Sequence, residues 1–285
     1  MKELRNILKV ASIYMATIIG AGFASGQEIV QFFSTYYKGG FYGIILAGVL
    51  FSTIGYLVLD RVYRERIRNY DEFIFPMAGW FIGWVLEVAV TLFVFSLFCV
   101  MIAGMGNIVI AKSNIGYFYG LLLMAIFCGI IILSDMKGIV ALSTVVTPVL
   151  IAGMLIVGFY IIICKDASVF YITAGFNRLT ENWFFSALIY VGYNSMMAVL
   201  IMCNMLPYLK SRKVGIAGGI LGGVFLCLVA FILNAAIFFF YPGTLINELP
   251  VLSIVERYNN TLGSFYTLVL WLAMFVSAVT SGYCF

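Results

Sequence analysis

The residues able to do chemistry in this chain lie in three places. The stretch IIGAGFASGQE, Ile18 to Glu28, sets three glycines, an amide and a carboxylate into an apolar run of about thirty positions. A second stretch, Gly192, Tyr193, Asn194 and Ser195, puts a phenol, an amide and a hydroxyl in the middle of another apolar run. Near the C-terminus, FVSAVTSGY spaces Ser277, Thr280 and Ser281 as i, i+3, i+4, one face of a helix. One backbone carbonyl and two hydroxyls so placed could supply half the oxygen shell of a small hard cation, with carbonyls freed by a broken helix completing it. Hydroxyls are equally at home as packing groups between membrane helices. Catalytic chemistry is poorly supplied. There is no histidine, and Cys99, Cys128, Cys164, Cys203, Cys227 and Cys284 stand singly, with no CxxC pair. The thiols read as small hydrophobes. No nucleophile with a nearby base and no metal-ligand cluster is present, so neither an enzyme nor a resident cofactor is expected.

The elements that must carry these groups are membrane spans. Hydrophobic residues make up 64% of the 285 positions and charged residues 10%, which excludes a soluble globular class. A span needs about 20 apolar residues, and the chain offers eight, at 7–35, 40–60, 80–110, 115–134, 139–164, 183–208, 214–240 and 264–285. The first lacks the short apolar core and cleavage site of a signal peptide and belongs to the mature chain. With the N-terminus inside, eleven of the sixteen Lys and Arg fall in the cytoplasm, so both termini are expected there. The basic cluster from Arg61 to Glu72 reads as a solvated loop near anionic headgroups. The net charge of +4 comes from such loops and gives no reason to expect a nucleic-acid partner.

Two spans are too long for a simple crossing, since about thirty residues make a helix of roughly 45 Å against a hydrocarbon core near 30 Å. The first is expected to break at Gly20, Gly22 and Gly26, because each glycine weakens a helix by about 1 kcal/mol relative to alanine. The third, whose Gly104 and Gly106 lie toward its outer end, is expected to tilt. The sixth repeats the break in weaker form at Gly192 to Ser195. Interrupted spans five helices apart point to an inverted-repeat transporter. Of the outer connections, 241–263 reads as a helical hairpin over the outer mouth.

Single residues leave alternatives open. Glu28 lies about 31 Å of helix beyond Ile7, so it either reaches the outer headgroups or serves as a vestibule carboxylate that binds an amino group or carries a proton, with Gln27 and Gln31 beside it. Glu87 first suggests a structural pairing with a basic residue near the inner surface, and otherwise a gate. Asn107, Asn204 and Asn234 read as interhelical hydrogen-bonding groups. Tyr14 and Tyr193, near the expected breaks, are candidates for a substrate wall.

These features together resemble the amino acid, polyamine and organocation (APC) superfamily with the LeuT fold, and within it the YkvI-type amino acid permeases of bacteria. The likeness is carried by GAGFASGQE, Gly20 to Glu28, with QFF following at Gln31 to Phe33, and spans the whole chain. It implies an all-α integral membrane protein of the bacterial plasma membrane with a five-plus-five inverted repeat and discontinuous helices 1 and 6. This chain would then be a single polytopic domain, with the first repeat at 1–164 and a partial second one at 183–285. The match assigns substrate-binding backbone to Gly20, Ala21 and Gly22, where the outer half-helix begins and its dipole favours a carboxylate. Gly192, Tyr193 and Asn194 would form the opposite wall. By the same match, the carbonyls of Ala16 and Ile19 would face Ser277, Thr280 and Ser281 across a sodium site. The fold has ten core helices, whereas Phe285 closes the eighth span without a polar flank, so a truncated form of a longer protein is expected.

The expected function is secondary active transport of a small zwitterion, an amino acid first, with sodium preferred over protons because the fifth span has no internal lysine. The alternatives are a receptor or assembly subunit that binds without transporting, as spore germinant receptor subunits of the same superfamily suggest, and an inactive truncated permease. The bilayer and a small-molecule substrate are the partners implied; oligomeric state is left open.

Overall fold

In lipid a backbone must satisfy its own polar groups, and helix is the local solution. The computed structural model describes residues 2–112, 116–164, 180–240 and 249–285, with the side chains of 105–112 left aside, and among these residues all regular structure is helical. The elements are α1 (Lys2–Ile18), α2 (Ala21–Ser25), α3 (Gln27–Phe32), α4 (Lys38–Glu65), α5 (Tyr70–Lys112), α6 (Tyr117–Ile132), α7 (Asp135–Cys164), α8 (Trp183–Cys203), α9 (Arg212–Phe238), α10 (Pro250–Tyr258) and α11 (Asn260–Cys284). Short 3-10 turns follow α3 and α8. Six helices, α4, α5, α7, α8, α9 and α11, are long and apolar enough to cross a membrane. Two of the eight expected spans fall short of that length: the first is divided into pieces, and α6 has 16 residues. Side-chain caps mark three starts, with Asn182, Ser211 and Asn259 accepting from the amides of Phe184, Val214 and Leu262.

The bundle is assembled on glycine. Along α9, Gly218 and Gly222 meet Val10 and Tyr14 of α1, while Gly219 and Gly223 meet Gly55 and Ser52 of α4. Adding a Cβ at Gly219 would drive it into the backbone of Gly55. These two small-residue ridges let three helices approach at backbone distance. At one end of the α4/α9 seam, Arg212 grips Asp60 through two bonds of 2.5 and 3.2 Å, and Arg64 lies 3.6 Å from the same carboxylate. The Arg61 to Glu72 segment is therefore not simply a solvated loop. Its first half completes α4, Arg61 pairs with Glu65 at 2.8 Å, and α5 starts at Tyr70.

Two further expectations are corrected, and one break is added to them. α5 bends at Gly79 (φ 76°), just before the expected start of the third crossing. The sixth span is not discontinuous, since α8 runs unbroken through Gly192 to Ser195. Asn194 Nδ2 donates to the carbonyl of Tyr190 at 3.1 Å, so its polarity is spent within its own helix. Asn204 likewise bonds to the Leu200 carbonyl of α8 at 2.9 Å instead of to a neighbouring helix. Asn234 does bridge helices, accepting from Ser34 at 2.8 Å. The side chain of Asn107, most of the 165–182 connection and the first arm of the expected outer hairpin lie outside the described residues; the second arm is the helix α10.

Candidate functional site

The first span breaks where its glycines fall. α1 ends at Ile18, Ile19 lies outside any helix, Gly20 is extended, and α2 restarts at Ala21. Gly20 is needed there for proximity: a Cβ on it would lie 3.3 Å from Ser277 Oγ of α11. The gap is crossed by Ile19 N to Met15 O at 2.8 Å and Gly20 N to Ile18 O at 2.9 Å, and the carbonyls of Ala16 and Ile19 take no backbone amide. Ala21 and Gly22 occupy the first turn of α2, where amides lack intrahelical partners. A second bend follows at Gly26, whose φ of 83° puts α3 on a new axis and whose missing side chain makes room for Val251 and Ile237. The outer half is thus two short helices instead of one long dipole.

Buried bonds hold that broken segment in place. Tyr266 of α11 donates to the Ala24 carbonyl at 2.5 Å, Ser186 of α8 to the Phe32 carbonyl at 2.8 Å, and Ser34 to Asn234 of α9. The double bend also carries Glu28 back over Gly22, so that the glutamate side chain fills the space a Cβ on Gly22 would need. Its stem is partly exposed, whereas Oε2 is sealed from solvent and has no hydrogen-bond partner. The nearest polar groups to the carboxylate are the phenols of Tyr193 and Tyr190. The first of the two readings of Glu28, reach to the headgroups, does not describe this inward placement.

A cavity of about 40 Å³ lies at the break, with Gly20, Glu28, Tyr193, Asn194 and Ser277 in its wall together with apolar side chains of α5. It has space for a water or two and is closed to a larger solute in this arrangement. The structure therefore brings together residues from all three sequence stretches, Gly20 and Glu28, Tyr193 and Asn194, and Ser277. Ala21 and Gly22 lie beneath Glu28. Gly192 is set apart: it is exposed, and a Cβ on it would meet nothing within 4 Å. The cause is helical periodicity, because Tyr190, Tyr193, Asn194 and Met197 share one face and Gly192 is turned about 100° from Tyr193. Glu87 is also distant. Its side chain meets Asp71 across the Gly79 bend, an acidic neighbour where a basic one was expected. Tyr14 is no wall residue, since its hydroxyl donates to the Phe51 carbonyl at 2.8 Å, away from the cavity.

Of the expected cation ligands, Ser277 is the one seen to meet the break, at Gly20, and the whole set is buried. Ala16, Ile19, Thr280 and Ser281 have at most 1% exposure. Thr280 donates to Val276 O at 2.8 Å and Ser281 to Ser277 O at 2.7 Å, which leaves the lone pairs of both hydroxyls available. The donor set is all oxygen, as a hard cation requires. The Ser277 carbonyl also takes Thr280 at 3.1 Å, so the distinctive contribution of Ser277 is its hydroxyl against Gly20.

Sequence reading passed over Tyr190, which is buried among Phe32, Phe33, Phe51 and Tyr193 with ring centroids 5.0 to 5.9 Å away. Its position three before Tyr193 and four before Asn194 was the available signal. It also missed Tyr266 as an anchor. Elsewhere, a groove of about 640 Å³ follows the outer seam of α4 and α9, lined by residues such as Ile45, Val49, Val224 and Leu228. It has no charged group and suits hydrocarbon contact, so the chemistry belongs to the smaller cavity.

Comparison with known proteins agrees with this membrane architecture. "Uncharacterized membrane protein YkvI" of Bacillus subtilis (strain 168) is 25% identical over 281 residues, covering 96% of this chain and 78% of that protein. The chain is a relative of YkvI-type membrane proteins. "Uncharacterized protein YyaD" of the same organism is 24% identical over 272 residues, covering 95% of this chain and 78% of its own length. No family model matches the chain.

Proposed function

We propose that this YkvI relative is a secondary active transporter of a small zwitterionic solute, an amino acid first of all, on a LeuT-like inverted-repeat fold of the APC superfamily. Both termini lie in the cytoplasm, in a bacterial plasma membrane. The observation that carries the reading is the backbone break at Ile19 and Gly20, seated on Ser277 of α11 with Glu28, Tyr193 and Asn194 around one cavity. Unwound backbone inside a membrane is tolerated only where protein or a polar cavity satisfies it, and such breaks serve as solute sites. Ala21 and Gly22 offer amides to the solute, and Tyr193 and Asn194 form the facing wall. Sodium is the coupling ion preferred over the proton, held by the carbonyls of Ala16 and Ile19 and the oxygens of Ser277, Thr280 and Ser281. Opening the cavity to take a whole amino acid requires the outer segment α2–α3 to move relative to α8 and α11, which is the alternating-access step.

Reconstituted protein in liposomes is expected to accumulate a labelled amino acid when an inward sodium gradient is imposed, and more weakly or not at all when the gradient is dissipated. Saturable binding with no uptake under sodium or proton gradients would replace this reading with that of a non-transporting receptor subunit.

A further inference from the structure

We infer that Glu28 is the specificity-determining anchor for the cationic end of the solute, a primary ammonium group, within the cavity at the helix break. The assignment rests on the reading of that cavity as the solute site and adds which end of the solute binds where. A carboxylate held in the membrane is costly unless a positive charge or a proton meets it. No ion pair among the described residues involves Glu28; those present lie at the Asp60, Arg61 and Arg212 end of the bundle. The polar groups that face it come from every side of the cavity: Tyr190, Tyr193 and Asn194 from α8, Ser277 from α11 and Thr17 from α1, while α5 contributes Phe93, Leu97 and Met101. None of these carries a positive charge, which leaves either a proton or the cationic end of a ligand to meet the carboxylate.

The shape of the surroundings selects an ammonium. A primary ammonium has three N–H donors and no acceptor. Glu28 Oε2 and the Tyr190 hydroxyl are both buried and make no hydrogen bond of good geometry, although the phenol is a polar neighbour of the carboxylate, so both keep lone pairs for such donors. Tyr193 brings an aromatic ring to the cavity lining, packed on Phe32 and Tyr190 with centroid separations of 5.6 and 5.7 Å, and an aromatic face attracts cations. Ser277 is the one expected cation ligand that also lines the cavity of Glu28, so the coupling ion and the ammonium would meet on either side of it.

The test uses detergent-solubilised full chain and thermal stabilisation as the measure of binding, since a ligand that binds only the folded state raises the melting temperature with its concentration. The twenty proteinogenic amino acids are screened singly, and the most stabilising one is compared with its des-amino and N-acetyl derivatives. Wild type is expected to bind the amino acid at least about tenfold more tightly than either derivative, and Glu28→Gln, which keeps the shape and removes the charge, to bring that ratio close to one. Should Glu28→Gln fail to fold, Glu28→Asp draws the carboxylate back by one methylene and is expected to cut the ratio at least about threefold. A ratio unchanged in the folded variant overturns the assignment while leaving the solute site intact. Equal binding of all three compounds by wild type overturns it too. Stabilisation by none of the twenty removes the reading of the cavity as an amino acid site, and the assignment falls with it.

Discussion

Gly22 and Glu28 act as one unit, because the glutamate side chain lies in the space that any Cβ at residue 22 would claim. Gly26 makes that arrangement feasible by turning the chain at φ 83° between them. Replacing Gly26 with alanine is expected to cost about 1–3 kcal/mol, through a strained left-handed backbone and contact with Val251 and Ile237, and the loss would be read as a lowered melting temperature in detergent. At the ion-ligand residues, Thr280→Ala combined with Ser281→Ala should abolish the sodium dependence of uptake. Retained dependence in the double variant would remove these hydroxyls from the coupling site. The glycine motif was legible from residue type alone, since three glycines and a carboxylate have few uses inside a span. Tyr190 was not, being one of 18 tyrosines in a chain where aromatics form 17% of positions. Its role depends on which face of α8 turns inward, and the same rotation excluded Gly192, a glycine that a membrane helix can carry without breaking.

At the scale of elements, the broken first span is held from outside by bonds that α2 and α3 cannot make for themselves. Tyr266→Phe removes the donor to the buried Ala24 carbonyl and is expected to destabilise the protein by about 1–3 kcal/mol, a drop in melting temperature that a control change such as Tyr42→Phe on the exposed surface of α4 should not show. The seam between α4 and α9 is less forgiving. Gly219→Val places a branched side chain against the backbone of Gly55, and overpacking of this kind costs about 1–3 kcal/mol or more, seen as lower yield of folded protein and earlier thermal unfolding. Span positions were readable because twenty apolar residues are a strong signal, and α4, α7, α9 and α11 follow the expected limits to within a few residues. The fates of long spans were less readable. Gly79 lies just outside the apolar run it bends, and Asn194 of α8 bonds to a carbonyl of its own helix instead of opening it.

For the molecule as a whole, the account assigns two kinds of helix. α11 is extensively buried and packs against α1, α5 and α7, so it suits the part of a scaffold on which a site is mounted. The first span is divided into three helical pieces, α1, α2 and α3, which gives it two internal hinges. The site lies where the two touch, at Gly20 and Ser277. The most direct test of that claim is uptake of the best-binding labelled amino acid into proteoliposomes, measured side by side for wild type and Gly22→Leu at matched amounts of folded protein. Concentrative uptake is expected of wild type under an inward sodium gradient and none of Gly22→Leu, whose side chain claims the space that Glu28 fills over the break. Undiminished uptake by Gly22→Leu would contradict it.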